Sequence, residues 1–141
     1  MKEGYARLSP ERKNGLFVLY LLGFAILTVG TYAYPILAVI LLFAYPAGAL
    51  LFGYMTGDSI RAFIAGFFSY VFFILIILLS PGFATYPMDT AYLIRFAGYH
   101  LVLPFILGVI GWMSSKKENL PRILALPLSV LWVLLFFSGI S

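Results

Sequence analysis

The sequence predicts an all-α integral membrane protein, a bundle of five transmembrane helices with kinked spans and short loops. Hydrophobic residues make up 63% of the 141 residues and charged residues only 10%, whereas water-soluble domains carry roughly 25% charged residues. Apolar runs of about 17–20 residues recur along the chain, and each is long enough to cross a hydrocarbon core of ~30 Å. The basic residues lie mostly in the short segments between these runs, as in other multi-pass membrane proteins.

The composition also limits the kinds of site that the chain can hold. We expect one transmembrane domain, 15–141, preceded by a basic juxtamembrane segment, 1–14, in the cytoplasm. The chain has no cysteine, which excludes disulfides, thiolate metal sites and cysteine nucleophiles; no metal or other cofactor is expected. The basic residues are spread over loops rather than along one face, so nucleic acid is not an expected partner. The sequence contains no Cys or Gln and few Asn, and this composition favours a prokaryotic, heat-adapted source.

The first span is expected over 16–34. Ser9 and Pro10 fit an N-cap followed by a proline in the first turn, so this helix can begin in the headgroup region. The alternative is a cleaved signal peptide. Because Tyr32 and Tyr34 fit a cleavage region poorly, we expect the segment to be retained as a span.

Turn-forming residues separate the second, third and fourth spans. The pair Tyr34-Pro35 predicts a tight return into the second span, 36–55, and the next turn at 57–59 leads to the third span, 62–79. Proline and glycine after the third span end it and begin a loop. In that loop Asp89 and Thr90 are the candidate caps of the fourth span, 92–113.

The fifth span, 122–139, follows a polar loop and begins after Pro121, a residue that suits the first turn of a helix. Five spans place the two termini on opposite sides of the membrane. With the amino terminus in the cytoplasm, eight of the nine Lys and Arg residues lie inside and only Arg95 lies outside. This positive-inside pattern predicts an N-in, C-out protein of the cell (plasma) membrane.

A ladder of small residues is the expected packing surface. Ala49, Gly53 and Gly57 recur every four residues at the end of the second span, and Ala62 and Gly66 repeat the spacing on the third. Lipid gives no hydrophobic drive between helices, so close backbone approach must supply the packing energy. We interpret the ladder as packing within the hairpin of spans two and three, with a homo-oligomer seam as the alternative.

Prolines inside the spans give a second pattern. Pro46, Pro104 and Pro127 are each expected to kink a helix and to leave one backbone carbonyl without its donor. A glycine follows Pro46 and Pro104 by seven residues, at Gly53 and Gly111 respectively, and an aromatic residue, a methionine and a hydroxyl residue follow each glycine. This similarity suggests that spans two and three are duplicated as spans four and five, and it adds Gly111 to the packing glycines.

Charged side chains at the ends of the spans are candidates for an ion or substrate site. Asp58 and Arg61 lie at the turn between the second and third spans. A charge at the centre of a bilayer is functional by default, but these two are predicted to lie at its boundary. We therefore expect Asp58 or Ser59 to cap the third span, and Arg61 to pair with Asp58 or to reach lipid phosphate.

His100, the only histidine, is the stronger candidate for function. It lies five residues inside Arg95, about 7 Å deeper at helical rise. Proline at position 104 leaves the carbonyl of residue 100 without a helical donor. A titratable imidazole beside a free carbonyl is typical of ion or proton paths; the alternative is a neutral histidine bonded to another helix or to water.

The leading functional hypothesis is a non-catalytic membrane protein that packs with itself or with larger membrane subunits. The second hypothesis is a small oligomeric transporter or channel with an ion or proton path near His100. The third is a membrane-embedded enzyme, which a cleft joining Asp89, Arg95 and His100 would favour. Apart from the lipid bilayer, the expected partners are copies of the chain or larger membrane proteins.

Overall fold

A computed structural model of the chain describes residues 8–80 and 89–138. Within these residues the chain forms five α-helices, each long and apolar enough to cross a membrane. The helices are α1 (Pro10–Gly30), α2 (Ile36–Thr56), α3 (Ser59–Leu79), α4 (Thr90–Ser114) and α5 (Asn119–Ser138). The predicted helical class and the five candidate spans are confirmed, while the N-in, C-out orientation stays a prediction.

Helix caps explain why several helices begin earlier than the apolar runs predicted. The Ser9 hydroxyl accepts a hydrogen bond from the backbone N–H of Arg12 at 3.3 Å, so α1 begins at Pro10, as the Ser9-Pro10 pair predicted, and before the apolar span 16–34. At its other end α1 stops at Gly30, and backbone turns over 31–34 precede Pro35. The turn therefore includes the predicted return at residues 34 and 35 but starts earlier, at Thr31.

A two-residue turn joins α2 to α3. Gly57 has a φ of 57°, the left-handed conformation that glycine adopts most readily, and its N–H donates to the Gly53 carbonyl at 2.9 Å. Asp58 then caps α3 by accepting from the N–H of Arg61 at 3.1 Å. A Cβ at Gly57 would meet no atom within 4 Å. Gly57 thus ends α2 and does not belong to the packing ladder.

Successive helices run in alternate directions. We call the end where α1, α3 and α5 begin the near end, and the opposite end the far end. At the near end the hydroxyl of Ser115 donates to that of Ser59 at 2.8 Å, and at the far end the Tyr32 hydroxyl donates to the Ile76 carbonyl at 3.1 Å. Helices α2, α3 and α4 pack on one another, α1 packs on α2 and α3, and α5 packs on α4 and α2.

The small residues of the ladder face α4. A Cβ on Gly66 would lie 2.8 Å from the carbonyl carbon of Leu107, and one on Gly111 would lie 3.0 Å from that of Ala62. Gly53 likewise approaches the backbone of Gly111 and leaves no room for a Cβ. These glycines pack within one chain, as we expected, but their partner is α4 rather than the opposite arm of the α2–α3 hairpin.

The three prolines lie inside helices that continue past them: Pro46 in α2, Pro104 in α4 and Pro127 in α5. Pro46 and Pro104 are buried, whereas Pro127 is exposed. Each proline lacks the N–H that would bond the carbonyl four residues earlier, so α4 carries a carbonyl at residue 100 with no donor from its own helix.

Candidate functional site

The imidazole of His100 is held by a hydrogen bond between two helices. Its Nδ1 lies 3.1 Å from the hydroxyl of Tyr70, which joins α4 to α3. Tyr70 is fully buried and His100 is half-buried. A buried polar atom is costly without a hydrogen-bond partner, and this contact gives both side chains a partner within the chain.

Aromatic rings enclose the same imidazole. The ring centroid of Phe96 lies 4.1 Å from that of His100, and the centroids of Tyr99 and Tyr70 lie 5.2 and 6.0 Å away. Over the ranges 8–80 and 89–138 no carboxylate forms an ion pair with His100. The surroundings are therefore apolar rings and one phenol hydroxyl.

Three large aromatic side chains meet in the middle of the bundle. Tyr45, Tyr70 and Trp132 have pairwise centroid distances of 5.6 to 5.8 Å and are at most 2% exposed. We call these three side chains the aromatic plug. They come from α2, α3 and α5 respectively, so the plug fills the space between three different helices.

The polar atoms of the plug bond within the chain. The indole N–H of Trp132 donates to the Leu103 carbonyl at 2.9 Å. The Tyr45 hydroxyl lies 3.1 Å from that of Thr28, and Thr28 donates in turn to the Phe24 carbonyl at 2.6 Å. Buried polar groups are stabilising only when they are bonded, and each polar atom of the plug meets this condition.

A second tyrosine ties α4 to the end of α5. The hydroxyl of Tyr99 lies 2.7 Å from the carbonyl oxygens of both Leu135 and Phe136. These two carbonyls belong to the last turn of α5, where carbonyls have no donor from their own helix. Tyr99 thus satisfies a helix end and also covers one side of His100.

The structure separates the other predicted polar residues from His100. Asp58 and Arg61 lie at the near end, where Arg61 Nε is 3.6 Å from the Asp58 carboxylate. Asp89 lies at the far end and caps α4 by accepting from the N–H of Tyr92 at 2.6 Å. At these positions each carboxylate acts as a helix cap, which agrees with the cap interpretation.

Arg95 does not share a face with His100. Five residues along one helix correspond to a rotation of about 140°, so the two side chains leave α4 in different directions. Arg95 is exposed, whereas His100 faces Tyr70. The structure therefore does not bring Asp89, Arg95 and His100 together in the cleft that would favour an enzyme.

Sequence reasoning missed the two tyrosines of the plug, whereas the mid-span position of Trp132 predicts packing or lipid contact. Tyr45, Tyr70 and Trp132 lie near the middle of apolar spans, whereas Tyr and Trp usually lie near the membrane boundary. An aromatic ring that carries a polar atom needs a hydrogen-bond partner when it lies far from the membrane boundary. This requirement could have marked Tyr45, Tyr70 and Trp132 as members of an internal hydrogen-bonded cluster.

Chemically, the cluster offers one imidazole, several phenols and an indole, all engaged with one another. In the described part of the chain no three His, Cys, Asp or Glu side chains group together as metal ligands would. Such an arrangement can hold helices in register. Comparisons of the chain with protein-family models, with curated proteins and with solved structures found no match.

Proposed function

We propose that this chain is a non-catalytic integral membrane protein that serves as a packing or assembly subunit, acting with copies of itself or with larger membrane proteins. The observation that carries the proposal is the aromatic plug. Its rings fill the centre of the bundle, and their polar atoms bond within the chain. With a filled interior, the surfaces left for interaction are the outward faces of the helices.

The outward face of α1 supports this reading. Leu19 and Ile26 are 67% and 69% exposed, and they lie on one side of the helix with Gly15 and Gly23. A Cβ at either glycine would meet no atom within 4 Å. Small residues on a lipid-facing surface allow another helix to approach closely, so this face suits a neighbouring membrane helix.

The absence of cysteine makes a direct test simple. Single cysteines can be placed at Leu19 and Ile26 on α1 and at Leu134 on α5, all of them exposed, and at fully buried Ala65 as a matched control. Thiol-specific cross-linking in native membranes should then give a dimer, or an adduct with a larger membrane protein, from the exposed positions only. If lipid-soluble maleimide labels all three exposed positions but none cross-links, the proposal is wrong.

The membrane and the orientation are part of the same proposal. The excess of basic residues at the near end supports a cell-membrane protein whose amino terminus is cytoplasmic. A cysteine at Lys117, in the loop between α4 and α5, should be labelled by a membrane-impermeant maleimide only after the cells are opened. Labelling of this cysteine in intact cells would show that the chain has the opposite orientation.

The hydrogen bond between Tyr70 and His100 favours a second candidate, a small oligomeric transporter or channel. A titratable group inside a membrane bundle is a common part of proton paths. The test is proton flux into liposomes that contain the protein. The matched control is Phe105→Ala, which changes an exposed residue of the same helix. If His100→Ala abolishes proton flux and Phe105→Ala keeps it, the transporter or channel replaces the assembly proposal. If the protein gives no more flux than protein-free liposomes, the second candidate is removed.

A further inference from the structure

The first turn of α1 carries two opposite charges that have no partner within the described chain. Glu11 and Arg12 are both exposed, and over residues 8–80 and 89–138 the one ion pair joins Arg61 to Asp58. Because Glu11 directly precedes Arg12, the two side chains leave the helix about 100° apart and do not face each other. Each charge is therefore available to a group of opposite charge outside this chain.

These two charges flank an exposed line of residues on the same helix. At about 100° per residue, Gly15, Leu22 and Ile26 lie within about 20° of one line along α1, and we call these three residues the α1 stripe. Leu22 and Ile26 are 54% and 69% exposed, so the stripe faces away from the bundle. Glu11 lies about 40° to one side of the direction of Gly15, and Arg12 lies about 60° to the other side.

The α1 stripe begins with a glycine that lies about one helical turn from both charges. A Cβ at Gly15 would meet no atom within 4 Å, so no described part of the chain occupies the space beside it. Small residues allow the backbone of a second membrane helix to approach closely, and close packing is what holds such helices together in lipid. A helix that packs at Gly15 therefore comes within reach of Glu11 and Arg12.

A second copy of α1 has the charges that complement this face. Copies of one chain take the same orientation from their basic residues, so two α1 helices that meet in a membrane run parallel. In a parallel pair related by a two-fold axis, each flank of one helix faces the opposite flank of the other. Glu11 of each copy then lies opposite the partner's Arg12, with a difference in height of about 1.5 Å, the rise of one residue.

We propose that the chain pairs with a second copy of itself through the α1 stripe, with Glu11 of each copy bound to the partner's Arg12. The inference rests on the proposed assembly function and names the partner of the outward face of α1. Leu22 and Ile26 supply the apolar contact, and Gly15 lets the two backbones approach at the charged end. The two symmetric ion pairs fix the register and the parallel direction of the helices, as charges beside a coiled-coil seam do.

Energy transfer between labelled copies of the full chain in liposomes measures this pairing. A single cysteine at Tyr34, which is exposed in the far-end turn, carries a donor dye in one sample and an acceptor dye in another. Glu11→Arg or Arg12→Glu alone brings like charges together on both flanks and should weaken pairing about fivefold, because two surface ion pairs are lost. A mixture of the two variants should regain wild-type transfer, since each reversed charge then meets its opposite in the other copy.

Glu118→Arg is the matched control, because it reverses an exposed acidic residue at the same end of the bundle, in the loop before α5. It should keep wild-type transfer. Recovery in the mixture excludes misfolding, because the mixture contains the same two proteins as the single-variant samples. Absent transfer between wild-type copies, unchanged transfer in the single variants, an equal loss in Glu118→Arg or a mixture that stays unpaired would overturn the inference. If copies show no transfer but α1 cross-links to a larger membrane protein, this inference fails and the assembly function stands.

Discussion

Replacing Gly66 with alanine tests the close contact between α3 and α4. The new Cβ would lie 2.8 Å from the carbonyl carbon of Leu107 and 3.1 Å from the backbone nitrogen of Gly108. Carbon atoms pack at about 3.5–4.0 Å, so the two helices must separate locally by about 0.7 Å. Because the obstructing atoms are backbone, no side-chain rotation can relieve the overlap. We expect the free energy of unfolding to fall by about 2 kcal/mol, as at other overpacked sites.

The measurement is unfolding of the purified protein in mixed micelles by increasing SDS, followed by far-UV circular dichroism and by tryptophan fluorescence, to which buried Trp132 and exposed Trp112 both contribute. The matched control is Gly98→Ala on α4, where a Cβ would meet no atom within 4 Å. That change should leave stability unaltered or raise it by up to about 1 kcal/mol, since alanine is the better helix former. If Gly66→Ala behaves like Gly98→Ala, the glycine contact between α3 and α4 does not exist as described.

Two further changes probe single interactions by the same unfolding assay. Gly57→Ala should lower the free energy of unfolding by about 1 kcal/mol, because a φ of 57° is unfavourable for a residue with a Cβ, even though the space around it is open. An unchanged free energy would mean that the turn adopts another conformation. Tyr70→Phe should lose about 0.6 kcal/mol, the average value of a hydrogen bond between membrane helices, because it removes the partner of His100 Nδ1. The matched control, Tyr92→Phe on the exposed side of α4, should leave the free energy of unfolding unchanged. Equal losses in the two variants would contradict the hydrogen bond between Tyr70 and His100.

The helices and their caps could be predicted because they depend on local sequence. Long apolar runs gave the five candidate spans, and Asp58 and Asp89 cap the helices that follow them as their sequence positions suggested. The apolar spans begin later than α1 and α3 themselves, because the first turn of each helix contains polar residues. The caps, rather than the apolar residues, decide where those helices begin.

The pairing of helices could not be predicted in the same way. The ladder of Gly53 and Gly66 correctly marked surfaces of close approach, but a glycine shows only that something packs closely, not which helix does. In the structure that helix is α4. Similarly, the partner of His100 is Tyr70, thirty residues away on another helix, and no spacing rule connects them.

The arrangement around α4 has a consequence for biosynthesis. The chain is made from its amino terminus, so α1, α2 and α3 are made before α4. It is α4 that packs against the backbone at Gly53 and Gly66, two sites that we call the backbone notches. Until α4 is inserted, the α2–α3 hairpin exposes these backbone notches to lipid or to other nascent helices. A chain truncated before α4 therefore lacks its central contact, and it should be a preferred substrate for the proteases that remove unassembled membrane proteins.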